Sequence, residues 1–566
     1  MRGVPSVESE LLDALDEEQR AVAVTLRGPV VVLAGAGTGK TRTITHRIAH
    51  GVACGAYAPE RVLAVTFTRK AAGELQTRLR ALGAGGVRAR TFHGAALSQL
   101  GFFWPQVVGG LAPRVLPSKS ATLAQAAEAM RLRLDREALR DVAAEIEWRK
   151  VSMLSLDSYA GMLAERPLPD AVTPEQMLEM HRAYEKFKEE RREIDFEDVL
   201  VLVTGMLESE PRVSQQVREQ YRFFTVDEYQ DVSPLQHALL SVWLGERDEV
   251  CVVGDASQTI YSFAGASSRS LLRFASEHPG AHEFRLERNY RSTEPIVRTA
   301  NRLMHGQPGA LTLRAMRQEA ASDPSFEWFP DESSEANAVA DAIRARIQGG
   351  LPASEIAVLS RTNAQSARIE QALNSRGISS RVHGAKRYFD RADVKSAVMA
   401  IRAQSFAPDG RPLFQVVSDV IRELGWTAQP PTGPAQRERW EALGALLTLV
   451  DDAPEGISVA DFSTDLLERQ RAHHEPTLEA VTLSAIHAAK GLEWSLVHVI
   501  GMSEGILPIS YAVGDDAIDE ERRLAYVALT RARDELRLSG SAAGGRARRT
   551  PSRFLAAAGI GVPAAA

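Results

Sequence analysis

Residues Val30 to Thr43 read VVVLAGAGTGKTRT, and they hold the groups that a nucleoside triphosphate needs. An apolar run breaks into small residues, Ala34, Gly35, Ala36, Gly37, Thr38 and Gly39, whose backbone N–H groups can face phosphate oxygens. A helical pattern follows at once, so its N-terminus adds the positive end of a dipole. Lys40 reaches the β- and γ-phosphates, and the Thr41 hydroxyl sits on Mg²⁺. Ala34 stands where the consensus loop has its first glycine. Far downstream, FFTVDEYQD sets Asp227 and Glu228 at the end of a second apolar run. Ligands of open α/β sheets bind beyond such carboxyl ends. Asp227 can hold Mg²⁺ through water, and Glu228 can orient and deprotonate an attacking water. An exposed acidic turn is the alternative for Asp-Glu alone. The phosphate loop upstream, with Gln230 and Asp231 following, favours catalysis. A departing γ-phosphoryl group also needs positive charge, for which Arg291 in LERNYRST and Arg531 in YVALTRAR are the candidates. Supplied from another domain, such arginines would make hydrolysis depend on closure.

These groups need strands that end where chemistry happens. Residues 30–75 alternate strand and helix, which is the pattern of a parallel sheet covered by helices. From about 93 to 195 the alternation gives way to helical spacing rich in Ala, Leu, Arg and Glu. Strand-like runs return at Phe223–Glu228, Val250–Asp255, Glu355–Ser360 and Leu496–Gly501. Residues 386–477 are again mostly helical, broken by Gln429–Pro434. The expected fold class is α/β: two P-loop-type parallel-sheet domains, each interrupted by a helical insertion. From Ser539 onward the Arg- and Ala/Gly-rich tail reads as partly ordered at most, with its arginines solvated.

The bulk numbers narrow the class. The 566 residues suit roughly four domains. A net charge of -6 excludes a basic footprint over the whole protein and leaves room for a local groove. Cys54 and Cys251 are the only cysteines, which gives no disulfide framework and no metal or iron–sulfur spacing. The acidic N-terminus lacks a signal-peptide core, and no apolar run is long enough to span a bilayer. The expectation is a soluble, cytoplasmic protein with no membrane partner.

In order along the chain, LDEEQ, AGAGTGKTR, AVTFTRKAAGEL, TFHGAAL, VDEYQD, VVGDASQTIYSFAGA, LERNYRST, RTNAQS, VTLSAIHAAKGLEW and EERRLAYVALTRAR resemble the motif set of UvrD/Rep/PcrA-type superfamily 1A DNA helicases. In detail (EIEWRK, AQPP, RERWEAL) the likeness runs to the second UvrD-like helicase of actinobacteria, without the four-cysteine motif and HRDC module that members of that group can carry C-terminally. The resemblance implies two RecA-like domains: 1A at 1–92 and 196–280, and 2A at 281–385 and 478–566. It implies a helical 1B at 93–195 and a short helical 2B at 386–477. It also implies site roles. Gln19 reads the adenine edge, Arg42 contacts the nucleotide, Tyr290 stacks on adenine, and Glu493 binds the ribose. Gln258 senses the γ-phosphate, while Arg291 and Arg531 become arginine fingers. Thr66, Phe67, Thr91, His93, Tyr261, Phe263 and His487 line a single-strand track, where aromatic faces accept any base and hydroxyl or imidazole groups hold phosphates.

The implied activity is ATP-dependent, Mg²⁺-requiring movement 3′→5′ on single-stranded DNA, with opening of 3′-tailed duplexes and a setting in DNA repair. The chain departs from the family pattern at Phe263-Ala264, where Trp-Arg is usual, and at Arg69 and Arg288, where Asn and Gln are usual. The short 2B region motivates a second reading: a DNA-dependent ATPase or translocase that displaces proteins or serves a partner and unwinds poorly alone.

Overall fold

Apolar runs rich in Val recur in this chain, and each becomes a strand with helices over both faces. The computed structural model describes residues 7–562 except 164–165, 167, 170, 263–264, 384–388, 390, 407–409, 428–441, 445, 448, 451–452, 455, 473–478, 511 and 545–546. The chain divides into two units, Met1–Gly35 with Gly39–Leu286, and Ala36–Thr38 with Glu287–Ala566.

In the first unit, strands β1 (Val30–Ala34), β2 (Val62–Thr66), β3 (Arg88–Thr91), β4 (Phe223–Val226), β5 (Val250–Gly254) and β6 (His282–Leu286) form one parallel sheet in the order β3-β2-β4-β5-β1-β6. Residues of β1, β2, β4 and β5 are buried throughout, as the inner strands of a doubly covered parallel sheet must be. The edge strands RART and HEFRL are largely polar, which discourages pairing with another chain. Val30, Val32, Ile44, Ile48, Leu75, Leu79 and Val253 share one core. Since every pairing is parallel, all six strands deliver their carboxyl ends to the same edge.

Between β3 and β4 the chain is helical, with a separate core of Leu123, Val142, Ile146, Tyr159, Met177, Met180 and Tyr184. Beneath it, Lys150 bonds Asp195 at 2.7 Å and Asp198 at 2.6 Å, and Lys188 bonds the same two carboxylates. Burial alone would raise the Asp195 carboxyl, but the two ammonium groups outweigh it and hold it below the usual range.

In the second unit, β7 (Ser325–Phe329), β8 (Ile356–Ser360), β9 (Ser380–Val382), β10 (Val481–Ala485), β11 (Trp494–Val499) and β12 (Ala532–Ser541) form another parallel sheet, ordered β7-β12-β11-β8-β10-β9. Its core includes Val339, Ile343, Val358, Leu373, Leu483 and Leu496. Helices Ala392–Ser405, Leu413–Glu423 and Val459–Ala472 lie between β9 and β10. A distinct core of Val394, Ile401, Val417, Ile421, Leu446, Phe462 and Leu466 occupies that stretch.

The first unit runs to Leu286, where β6 pairs with β1 from Val30/His282 to Ala34/Leu286. One expectation changes: the tail from Ser539 is built into the fold. Ser539–Ser541 complete β12, Ala543–Gly544 pair with Ala547–Arg548, and helix Arg553–Ala557 buries Phe554 and Leu555. The apolar Phe-Leu pair decides the outcome there, although arginines dominate the stretch by count. Cys54 is exposed, Cys251 is buried, and both are free thiols. Among the described residues no helix is long and apolar enough to cross a membrane.

Candidate functional site

β1 ends at Ala34, turns, and enters helix Lys40–Ala53. Gly37 and Gly39 have φ of +70° and +81°, a left-handed geometry that curls the turn around the start of the helix. Gly39 meets a second demand as well. A Cβ there would stand 2.7 Å from the Gln19 Nε2. Gln19 is buried and bonded reciprocally with Asp16, so the residue expected at the adenine edge lies against the expected phosphate loop. Lys40 Nζ donates to Ala34 O at 3.4 Å, and Arg42 Nη2 to Ala14 O at 2.5 Å.

Asp227 and Glu228 follow β4, which is separated from β1 by β5 alone. Glu228 sits at φ 54° and ψ 41°, a left-handed conformation uncommon outside glycine and of the kind stored at functional positions. Its N–H bonds the Asp227 Oδ1 at 3.0 Å. Gln258 lies in the turn after β5 and donates Nε2 to Asp255 Oδ2 at 2.7 Å. Burial pushes the Asp255 carboxyl up, while the Lys40 charge pulls the other way. The Thr41 hydroxyl and Asp227 carboxylate are hard oxygen donors, the class that Mg²⁺ takes. The loop and both acids thus come to one edge on three neighbouring strands.

Five residues expected on the DNA track share that edge. Phe67, just past β2, is 40% exposed and stacks on Tyr261 with ring centroids 5.4 Å apart. Thr91 caps helix Phe92–Val107 by accepting from Gly94 N at 3.0 Å. In the first turn of that helix, His93 stacks on Phe196 at 4.5 Å. Burial, with the Lys119 ammonium nearby, pulls the His93 imidazole down to about 4, so it is neutral at pH 7. Thr66 is 1% exposed, and its hydroxyl finds no partner among the described residues. Phe263 and its neighbour Ala264 lie outside the described residues.

The second unit gathers the expected arginine fingers and the ribose residue. Arg291 Nε bonds Glu493 Oε2 at 2.5 Å, and its Nη1 donates to Thr530 O at 3.2 Å. Arg531 is 1% exposed and gives Nε to Val527 O at 2.9 Å and Nη1 to Leu492 O at 3.2 Å. Glu493 and Arg531 directly precede β11 and β12, at the amino ends of those strands. Tyr290 is 43% exposed, and its N–H bonds Gly37 O at 2.9 Å. His487 lies just past the carboxyl end of β10. Burial and the Arg361 charge pull it down to about 4.

Several residues that hold this arrangement have no role in the motif pattern. Asn289 donates to Ala36 O at 2.6 Å and accepts from the Arg291 and Ser292 N–H groups at 3.0 and 2.8 Å. Arg361 grips Glu521 with bonds of 2.8–3.1 Å, and Glu521 also accepts from Ile509 N at 3.1 Å. Gln230 and Asp255 link the turns after β4 and β5. The available signal was a polar residue inside an otherwise apolar or motif-bearing run, as in ERNYRS.

Comparison with known proteins accords with this geometry. A family model described as UvrD/REP helicase N-terminal domain matches residues 15–279. One described as UvrD-like helicase C-terminal domain matches residues 284–432 and 433–542. The chain is 44% identical, over 96% of its length and 81% of the other, to ATP-dependent DNA helicase UvrD2 of Mycobacterium tuberculosis (strain ATCC 25618 / H37Rv). It is 29% identical to ATP-dependent DNA helicase PcrA of Leuconostoc citreum, covering 97% of this chain and 85% of that one. Against DNA helicase II of Escherichia coli (strain K12) the identity is 28%, over 97% and 88%.

Proposed function

The chain belongs to the UvrD/REP family of ATP-dependent DNA helicases, and from that premise we propose that it moves 3′→5′ on single-stranded DNA, opens 3′-tailed duplexes and serves DNA repair. The observation that carries this reading is the shared carboxyl edge of β1, β5, β4 and β2. Phosphate loop, acid pair, Gln258 and the Phe67–Tyr261 stack follow consecutive strands there.

Lys40 and the N–H groups of residues 34–39 hold the triphosphate, with Gln19, Arg42, Tyr290 and Glu493 on the rest of the nucleotide. Thr41 and Asp227 would hold Mg²⁺, which supplies charge beside the β- and γ-phosphoryl oxygens. Glu228 takes the proton of the attacking water, and Gln258 reads the γ-phosphate. Arg291 and Arg531 neutralise charge on the γ-phosphoryl oxygens. For Arg291 and Glu493 to act so, their mutual ion pair must open, which ties nucleotide binding to release of a cation. Thr66, Phe67, Thr91, His93, Tyr261, Phe263 and His487 serve the strand. Neutral imidazoles donate hydrogen bonds to phosphate without adding charge. The layout is 1A with helical insert 1B, then 2A with the shorter insert 2B.

The test is ATPase activity with and without single-stranded DNA, beside strand separation on 3′- and 5′-tailed duplexes. The expected result is stimulation by DNA and opening of the 3′-tailed duplex. Preference for the 5′ tail would overturn the polarity. Stimulation without strand separation would replace unwinding by translocation that displaces proteins or serves a partner.

A further inference from the structure

A buried chain of hydrogen bonds joins the proposed base to the proposed sensor, and its middle members have no part in the scheme above. Gln230, 0% exposed, lies in the turn Tyr229–Asp231. Its Nε2 donates to Glu228 Oε2 at 2.5 Å, and its Oε1 accepts from the Asp255 N–H at 3.0 Å. The Asp255 carboxylate accepts from Ser257 N at 3.0 Å and from Gln258 Nε2 at 2.7 Å. Two turns of the first unit, those after β4 and β5, are thereby fixed to each other by direct hydrogen bonds.

The side-chain type matters at each link. Only an amide can donate to one carboxylate and accept from a backbone N–H in the same place. A carboxylate at 230 would face Glu228 with no proton to give, and a thioether would remove both of these bonds. The close approach also needs the bare Cα of Gly254, where a Cβ would stand 2.5 Å from the Gln230 Oε1. Beyond Gln258 the same segment reaches Tyr261, whose ring stacks on Phe67.

We propose that Gln230 is a positioning residue that fixes the Glu228 carboxylate and, through Asp255, ties its orientation to Gln258. The base and the γ-phosphate sensor then move together, and the strand-facing Tyr261 lies on the same segment. This rests on the roles given to Glu228 and Gln258 above and deepens them. It accounts for a buried polar chain that an apolar core would replace at no loss of packing.

The experiment compares steady-state ATPase of the full chain with Gln230→Met, Asp255→Asn and the double variant, with and without saturating single-stranded DNA. For Gln230→Met the expected fall in kcat is about 10²-fold, the scale of a misplaced reacting group, with KM for ATP changed by no more than about twofold. Asp255→Asn keeps an acceptor for Gln258 and should lose about tenfold, as one weakened bond of the chain. The double variant should lose no more than Gln230→Met alone, because both changes cut one chain.

Losses that multiply in the double variant would overturn the proposal, as would a raised KM with kcat intact. Gln230→Glu, which keeps size and acceptor but not the donor, guards against misfolding of the Met variant. It should lose kcat to the same extent, and wild-type activity in it would also overturn the proposal. A wild-type chain that hydrolyses ATP without DNA stimulation would break the DNA reading and leave the kcat comparison standing.

Discussion

The two parallel sheets use their strand ends differently. In the first, the phosphate, base, sensor and strand-facing residues follow strands: Lys40 after β1, Glu228 after β4, Gln258 after β5 and Phe67 after β2. In the second, His487 and Arg361 follow β10 and β8, while Glu493 and Arg531 precede β11 and β12. The proposed strand-facing and nucleotide-facing groups of that sheet are therefore a strand length apart, roughly 16 Å for five residues. Side-chain hydrogen bonds can couple neighbours on one edge, as Gln230 does. Across a strand length the covalent chain must do it, and Ile486–Glu493 is the short link between the ends of β10 and β11. One sheet is suited to chemistry, and the other to conveying position.

Five measurements bear on that contrast. Lys40→Ala should abolish ATP hydrolysis, since the first sheet loses its phosphate cation. Retained turnover would remove the loop from the site. Arg291→Ala should cut kcat by about 10³-fold while nucleotide binding, followed by a fluorescent analogue, persists. A pure binding defect would make the second sheet's amino edge a grip instead of a trigger. Glu228→Gln should bind ATP yet lose about 10² in turnover, and normal hydrolysis would reassign the base. Tyr261→Ala should weaken single-strand binding about tenfold in an anisotropy titration. An unchanged affinity would confine the first sheet to nucleotide chemistry.

The smallest effect concerns pH. His93 and His487 are both held down to about 4, so both stay neutral between pH 8 and 6. The slope of log Kd against log salt should not change over that range, because no imidazolium joins the phosphate contacts. A slope steeper by about 0.7 at pH 6 would mean that one has. The sign for stability follows from the same depression. Unfolded histidines, near 6.5, bind protons that the folded ones refuse. Stability from these groups is present at neutral pH and is lost as pH falls through 6.5 toward 4. Thermal melts from pH 7 to 5 should show Tm decreasing.

Much of the first sheet was legible because its signals are local. An all-apolar run ending in Gly-Lys-Thr or Asp-Glu carries strand, turn and chemistry within a dozen residues. β6 was not, since HEFRL is polar enough for an edge and looks like a loop. The left-handed backbone of Glu228 has no sequence mark, glycine being its usual sign. The Arg361–Glu521 grip spans 160 positions, so nothing nearby in the chain announces it. Gln230 and Asp255 lie in VDEYQD and VVGDASQ, but their contact exists only once β4 and β5 lie side by side. The tail is not legible from composition because two buried apolar residues, Phe554 and Leu555, outweigh several arginines in energy, though not in number.

The strand order has a consequence for how the protein is made. The first sheet has all six of its strands once residue 286 has left the ribosome. The second cannot close until residue 541, because the last strand synthesised, β12, belongs between β7 and β11. At about 5–20 residues per second that interval is roughly 10–50 s. Throughout it the N-terminal half can already be native, and once residue 499 is made β7 and β11 wait with open edges for β12, so a nascent chain stalled between residues 499 and 541 is exposed to aggregation and in need of a chaperone.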